Sequence, residues 1–168
     1  QPTHGFYSVI YLAETKICIP LYDPEMLVAG VKRQVEGYPP RLKRAIISDS
    51  LWAAEFTLLH ARSFAAQGDI YNTTGCLARA ASSLTQALFA LNERYFIRDK
   101  QVMETISAFP LLPPGYVRQV ERLLACPGSS AQDLAETVSI LEQLWRSVLS
   151  LPGVKYEPKF QAAGSITR

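Results

Sequence analysis

An all-α fold, an up-and-down bundle of about five to seven helices behind a short N-terminal β segment, is what this sequence predicts. Three observations point there. From Asp23 onward, apolar residues return every three or four positions, the spacing of one buried helix face. Helix-start residues stand where those runs begin, at Asp23-Pro24, Asp69 and Ser129-Ser130. No proline occurs between Pro40 and Pro110, which leaves room for a long helical pair. The 168 residues, 48% apolar and 19% charged, suffice for one core and are too few for two full-sized domains.

The first 22 residues have a different texture. Phe6–Tyr11 and Lys16–Leu21 are rich in β-branched and aromatic side chains and read as two short strands. Two strands alone are marginal in water, so residues 1–22 are expected to be the remnant of a sheet completed by an upstream domain. The start at Gln1, without a secretory n-region and h-region, fits a piece of a longer cytoplasmic chain.

Residues 23–151 form the expected helical unit. Asp23 caps and Pro24 opens a helix to about Val35, stopped at Gly37. Pro39-Pro40 opens a short helix through Ile47. Ser48 or Asp49 then caps one from about Leu51 to Gln67, ended by Gly68. Asp69 caps the longest, reaching Tyr95 or Phe96. Short helices follow over 100–108 and 114–125, and a last long one runs from Ser129 or Ser130 to Leu149, closed by Pro152-Gly153. Residues 152–168 read as a mobile tail.

The long helix has two faces. Ile70, Thr74, Leu77, Ala81, Leu84, Leu88, Leu91 and Tyr95 make the buried stripe. Asn72, Arg79, Gln86 and Glu93 recur every seven residues, which drifts only about 20° per step. They therefore share one face over roughly 30 Å. A row of amides, one guanidinium and one carboxylate, without lysine, suits directional hydrogen bonding in a partly buried groove as well as a solvated surface. Gly75, Ala78, Ser82, Ser83 and Ala90 beside it are small enough for close approach, and a helical glycine costs about 1 kcal/mol relative to alanine. At the far end Tyr95, Arg98 and Lys100 cluster. Cations are favoured at any helix C-terminus, and the same three residues could also meet a phosphate.

Self-contained chemistry is missing. His60, between Phe56 and Phe64 at helical spacing, reads as a core or boundary histidine, and His4 stands near the terminus. No metal-binding His spacing, Gly-x-Ser-x-Gly elbow, phosphate-cradling glycine loop or Asp-x-Asp pair is present. Cys18, Cys76 and Cys126 are odd in number and far apart, which argues against a disulfide framework or zinc site. A net charge of +2 gives no electrostatic reason to expect nucleic acid or membrane as partner. No apolar run approaches the roughly 20 residues of a membrane span.

Asp69-Ile70-Tyr71-Asn72, Gly75-Cys76-Leu77-Ala78-Arg79, Leu84 through Glu93, Tyr95-Phe96 and Asp99-Lys100 resemble the helical C-terminal domain of bacterial nucleotidyltransferase-domain proteins. These belong with the kanamycin nucleotidyltransferase class of the polymerase-β-like superfamily. The resemblance covers about residues 5–150 and is specific over 69–100. It implies an upstream α/β domain holding Mg²⁺ on paired carboxylates after a Gly-Ser motif, with the helical domain closing the cleft over nucleotide and acceptor. The Gly-Ser and Asp-x-Asp elements are absent here, so only binding roles carry over. Lys100, with Arg98 and Tyr95, would meet the triphosphate of ATP or another NTP. Asn72, Arg79, Gln86 and Glu93 would line the groove for a small-molecule hydroxyl acceptor. The related helical fold of HEPN-type ribonucleases carries an Arg-x(4–6)-His motif, and neither histidine here has an Arg four to seven residues before it.

Two functions stay open at this point. One is the substrate-binding part of a nucleotidyltransferase; the other is a non-catalytic interaction module whose polar stripe pairs with another protein or a second copy of itself. A small-molecule-binding bundle unrelated to nucleotides stands behind these two. An uncovered apolar strand edge in residues 1–22 would further predict a homodimer.

Overall fold

The computed structural model describes residues 7, 9–98 and 100–160, and the bundle is helical throughout them. Seven helices appear among these residues and no strand: α1 (Val9–Ile17), α2 (Leu27–Val35), α3 (Pro40–Ala66), α4 (Ile70–Leu91), α5 (Val102–Ser107), α6 (Tyr116–Ala125) and α7 (Ala131–Leu149).

The N-terminal β segment is therefore corrected. Residues 9–17 are helical, and 18–26 form an irregular connection. Side-chain burial explains why helix wins over local β-propensity. Val9 and Ala13 are buried at i and i+4, whereas Tyr11, which an alternating strand would bury with them, faces solvent. The two N-terminal helices also cap each other. Lys32 on α2 donates to the carbonyls of Lys16 and Cys18 at the end of α1, and Lys16 donates to Glu36 O at the end of α2 (2.7 Å). Each lysine thereby serves carbonyls that a helix end leaves without partners.

Asp23 caps from further away than expected. Helix α2 starts at Leu27, yet the Asp23 carboxylate accepts from Val28 N (3.2 Å) and Ala29 N (2.9 Å) across a turn through Met26. The expected break at Ser48–Asp49 does not occur. Ile47, Leu51, Ala54, Leu58, Ala61 and Ala65 carry one buried stripe straight through it, and Ser48 and Asp49 sit on the solvent side.

At the α3–α4 corner, Gly68 takes a left-handed φ of 69°, with Asp69 N bonded to Phe64 O and Gly68 N to Ala65 O. Asp69 immediately caps α4 by accepting from Asn72 N (3.0 Å). The α3–α4 interface is the largest in the molecule. Ala54, Ala61 and Ala65 of α3 and Ala80, Ala87 and Ala90 of α4 are all buried, small side chains that let two helix axes approach closely. Helix α7 covers this pair, and Trp145 donates its indole N–H to Leu51 O (3.1 Å). Its start carries the expected cap, Ser130 and Asp133 exchanging bonds in a capping box.

Helix α4 ends at Leu91, short of Tyr95. The Asn92 amide bonds Leu88 O and both backbone groups of Leu111, and Glu93 turns the chain at φ 55°. Residues 152–160, expected to be loose, lie against α3: Tyr156 Oη, Lys159 N and Phe160 N all donate to the Glu55 carboxylate at 2.6–3.0 Å. The rest of the expected tail, 161–168, is outside the described residues.

Candidate functional site

Helix α4 begins half-exposed and ends enclosed, and this gradient divides the expected polar row. Asn72, in the first turn, gives its side-chain amide to Asp69 Oδ2 (2.7 Å) and so belongs to the cap. Arg79, one step along, is exposed. It folds back over its own helix, with Nη2 3.1 Å from Cys76 Sγ and Nη1 3.2 Å from where a Cβ on Gly75 would stand. The close approach that Gly75 accommodates is thus the Arg79 guanidinium. Glu93 lies beyond the end of α4 and pairs with Lys43 of α3 at 2.8 Å.

Gln86 is different. It is 4% exposed, and its Nε2 amide has no hydrogen-bond partner. A buried donor left unpaired costs on the order of 1–3 kcal/mol, and Thr73 Oγ1, Thr74 Oγ1 and Tyr116 Oη are likewise buried without a hydrogen bond. Gln86 lines a groove of about 250 Å³ on the same face of α4. Ala78, Ala81, Ser82 and Thr85 continue that face, and the small side chains leave the space. Tyr7 and Phe96 stand across it, edge to face at 5.4 Å, with Val102 and Met103 of α5 and Leu124 of α6 completing the wall. Tyr7 Oη and Ser82 Oγ share a 2.6 Å hydrogen bond at its edge. The groove is therefore lined by apolar side chains, three hydroxyl-bearing residues and Gln86, with no charged residue.

The expected phosphate-binding cluster splits at this point. Arg98 and Lys100 are exposed, on the connection between two groove-lining residues, Phe96 and Val102. Tyr95 turns inward. Its ring stacks on Tyr38 at 4.7 Å, its hydroxyl donates to Gly37 O (3.2 Å), and Lys16 Nζ sits 5.7 Å from the ring centre. Burial pushes the Tyr38 hydroxyl up to about 12 and raises that of Tyr95, so both remain neutral donors.

Sequence reasoning reaches Gln86 and the small residues beside it through the heptad spacing. It misses Tyr7, Met103 and Leu124, which only tertiary packing brings to α4. It also passes over Glu55, a buried carboxylate with no local signal. A second cleft of about 290 Å³ lies beside Glu55, between α3 and α7, with Phe160 and Pro158 of the C-terminal strap at its margin. There Arg62 pairs with Glu142, which raises the guanidinium pKa above its ordinary value. His60 is exposed and packs edge-on against Phe56 at 4.6 Å. Cys18, Cys76 and Cys126 are free thiols.

A third feature is apolar and exposed. Tyr11, Ile17, Ile19, Leu21, Tyr22 and Leu27, on α1, its connection and α2, are all open to solvent, Leu21 to 98%. Among the described residues no helix is long and apolar enough to cross a membrane, and no group of three His, Cys, Asp or Glu could hold a metal ion. No protein-family model, curated protein or solved structure matches the chain.

Proposed function

We propose that this chain is the helical binding part of a nucleotidyltransferase, which transfers a nucleoside monophosphate from Mg·NTP to a hydroxyl acceptor once a catalytic domain is joined to it. The acceptor oxygen would bond to the α-phosphorus while the α–β phosphate bridge breaks and pyrophosphate leaves. The observation that carries the reading is the uncharged groove that Gln86 helps to line, with two exposed cations, Arg98 and Lys100, on the adjoining connection. Such a pairing suits a ligand with a neutral end and an anionic end. The resemblance over 69–100 supplies the reaction class. The described residues do not themselves fit Mg²⁺, since they bring no three carboxylates, histidines or thiols together. The metal would belong to the partner domain, and this chain's part is to bind and orient.

Calorimetric titration with Mg·ATP and then Mg·GTP at low salt tests the reading. Binding to the chain is expected, weakened about tenfold in Lys100→Ala, which corresponds to about 1.4 kcal/mol. Unchanged affinity in that variant would count against it. Because Lys100 is exposed, its loss should leave the fold intact.

A second reading, a helical interaction module, is favoured by the exposed apolar side chains of α1, α2 and their connection. Large apolar side chains exposed in such number on one segment suit a site of protein contact. Sedimentation of the isolated chain across a concentration series separates the two. Self-association that Leu21→Asp abolishes, without nucleotide binding, would favour the second.

A further inference from the structure

We infer that the cleft between α3 and α7 is a binding site for a small apolar monocarboxylate, its chain laid against the leucines and its carboxylate on Arg146. The inference is independent of the nucleotide reading, since this cleft shares no lining residue with the groove on α4. Leu58 and Trp145 are its most buried apolar lining, and the Trp145 indole N–H is already given to Leu51 O. These side chains therefore offer a ligand no free polar group. Leu59 of α3 and Leu149 of α7 extend the apolar surface, and Pro158 and Phe160 of the strap close one margin. That margin is a fixed wall. Tyr156 Oη, Lys159 N and Phe160 N all donate to the buried Glu55 carboxylate, and the Phe160 ring lies 5.7 Å from that of Phe56.

Four charged side chains line the cleft, and three of them are committed within the chain. Glu55 is taken by the strap, and Arg62 and Glu142 by each other. Arg146, exposed on α7, has no ion pair or side-chain hydrogen bond among the described residues. A cationic ligand would find both carboxylates already partnered, and a neutral one would leave the guanidinium unused. A carboxylate completes the set, because its two oxygens match the planar donor fork of arginine. Apolar walls with one polar group to fix orientation are the usual make-up of a small-molecule site. The volume limits the chain length: about 290 Å³ holds roughly ten non-hydrogen atoms at about 30 Å³ each, the size of octanoate.

The test titrates octanoate, 1-octanol and octylamine into the full chain at neutral pH by calorimetry. Octanoate is expected to bind with a Kd below about 1 mM, and the alcohol and the amine more weakly. Arg146→Gln should weaken octanoate about tenfold and leave 1-octanol unchanged. Leu59→Trp, at a half-exposed position, should fill the cleft and abolish binding of both. A second measurement locates the ligand without touching the cleft. Trp52 and Trp145 are the only tryptophans, so Trp52→Phe leaves Trp145 as the sole indole emitter. A bromine-tagged octanoate should then quench it with the midpoint found by calorimetry.

No octanoate binding, or binding indifferent to Leu59→Trp, would overturn the site. So would binding that leaves Trp145 emission unchanged, which would put the ligand elsewhere. Octanol or octylamine binding as tightly as octanoate, or octanoate indifferent to Arg146→Gln, would overturn the assignment of a carboxylate to Arg146. None of these outcomes bears on Mg·ATP and Lys100, so the nucleotidyltransferase reading stands or falls separately.

Discussion

Glu55 on α3 and Gln86 on α4 are buried to nearly the same depth, yet the protein treats them oppositely. The Glu55 carboxylate receives a phenol and two backbone amides from the C-terminal strap. Gln86 offers an amide proton to nothing. Before pairing, burial is far more costly for a carboxylate than for a neutral amide, and the two sites differ accordingly in the compensation they receive. At Glu55 it comes from the chain itself, and the residue is architectural. At Gln86 nothing in the chain supplies it.

The largest effect should come from breaking the satisfied site. Glu55→Ala deprives three donors of their acceptor and is expected to cost about 2–3 kcal/mol. Urea unfolding measures that loss. Hydrogen exchange at Lys159 and Phe160 shows whether the strap has come away; amides that stay protected would mean that it is held by other contacts. Tyr156→Phe removes one bond of the same set and should cost about 1–1.5 kcal/mol by the same measurement. A loss equal to that of Glu55→Ala would show the phenol alone to be the latch.

The weakest effect belongs to exposed caps, which water can replace. Backbone amides at residues 29, 72 and 129–130, together with the Asn72 and Ser130 side chains, hold the Asp23, Asp69 and Asp133 carboxyls below their ordinary pKa of 3.8. A lowered folded pKa contributes stability that is full above 3.8 and is lost as pH falls through the folded value. Thermal melts from neutral pH down to about pH 2 should therefore show a decline at the acid end. In Asp69→Asn, which can still cap but cannot titrate, the decline should be smaller. An acid profile identical to wild type would assign that stability elsewhere.

What the sequence makes legible follows the range of the interactions involved. Asp69 and Ser130 are readable as caps because their partners lie three residues away. The buried stripe of α4 is readable from Leu77 to Leu91 for the same reason, being one helix's own periodicity, whereas Ile70, expected to begin it, is exposed. The α1 helix is not, because aromatic and β-branched residues 7–11 locally favour strand, and only burial of Val9 and Ala13 against the rest of the core decides otherwise. The continuous α3 is obscured by Ser48 and Asp49, good cap residues that happen to face solvent. At the candidate site, the heptad spacing brings Gln86 to notice, but its depth depends on residues 7, 96, 102, 103 and 124. The same spacing places Arg79 in the open and Glu93 past the helix end, where Asn92 and Leu111 stop α4 by a contact across 19 residues of sequence.

The inward turn of Tyr95 has a mechanical consequence. Three residues before Arg98, the chain is moored to the N-terminal helices twice: to Lys16 at the end of α1, and to Gly37 and Tyr38 just after α2. Those two helices carry much of the exposed apolar surface. A body docking on them therefore loads the same moorings that hold the cationic connection beside the groove. If it shifts α1 relative to α2, Tyr95 must follow or give up its stack. Such linkage runs in both directions with equal free energy. A ligand that drew Arg98 and Lys100 toward the groove would then be felt, with the same sign and size, at Leu21 and Tyr22 by whatever covers them.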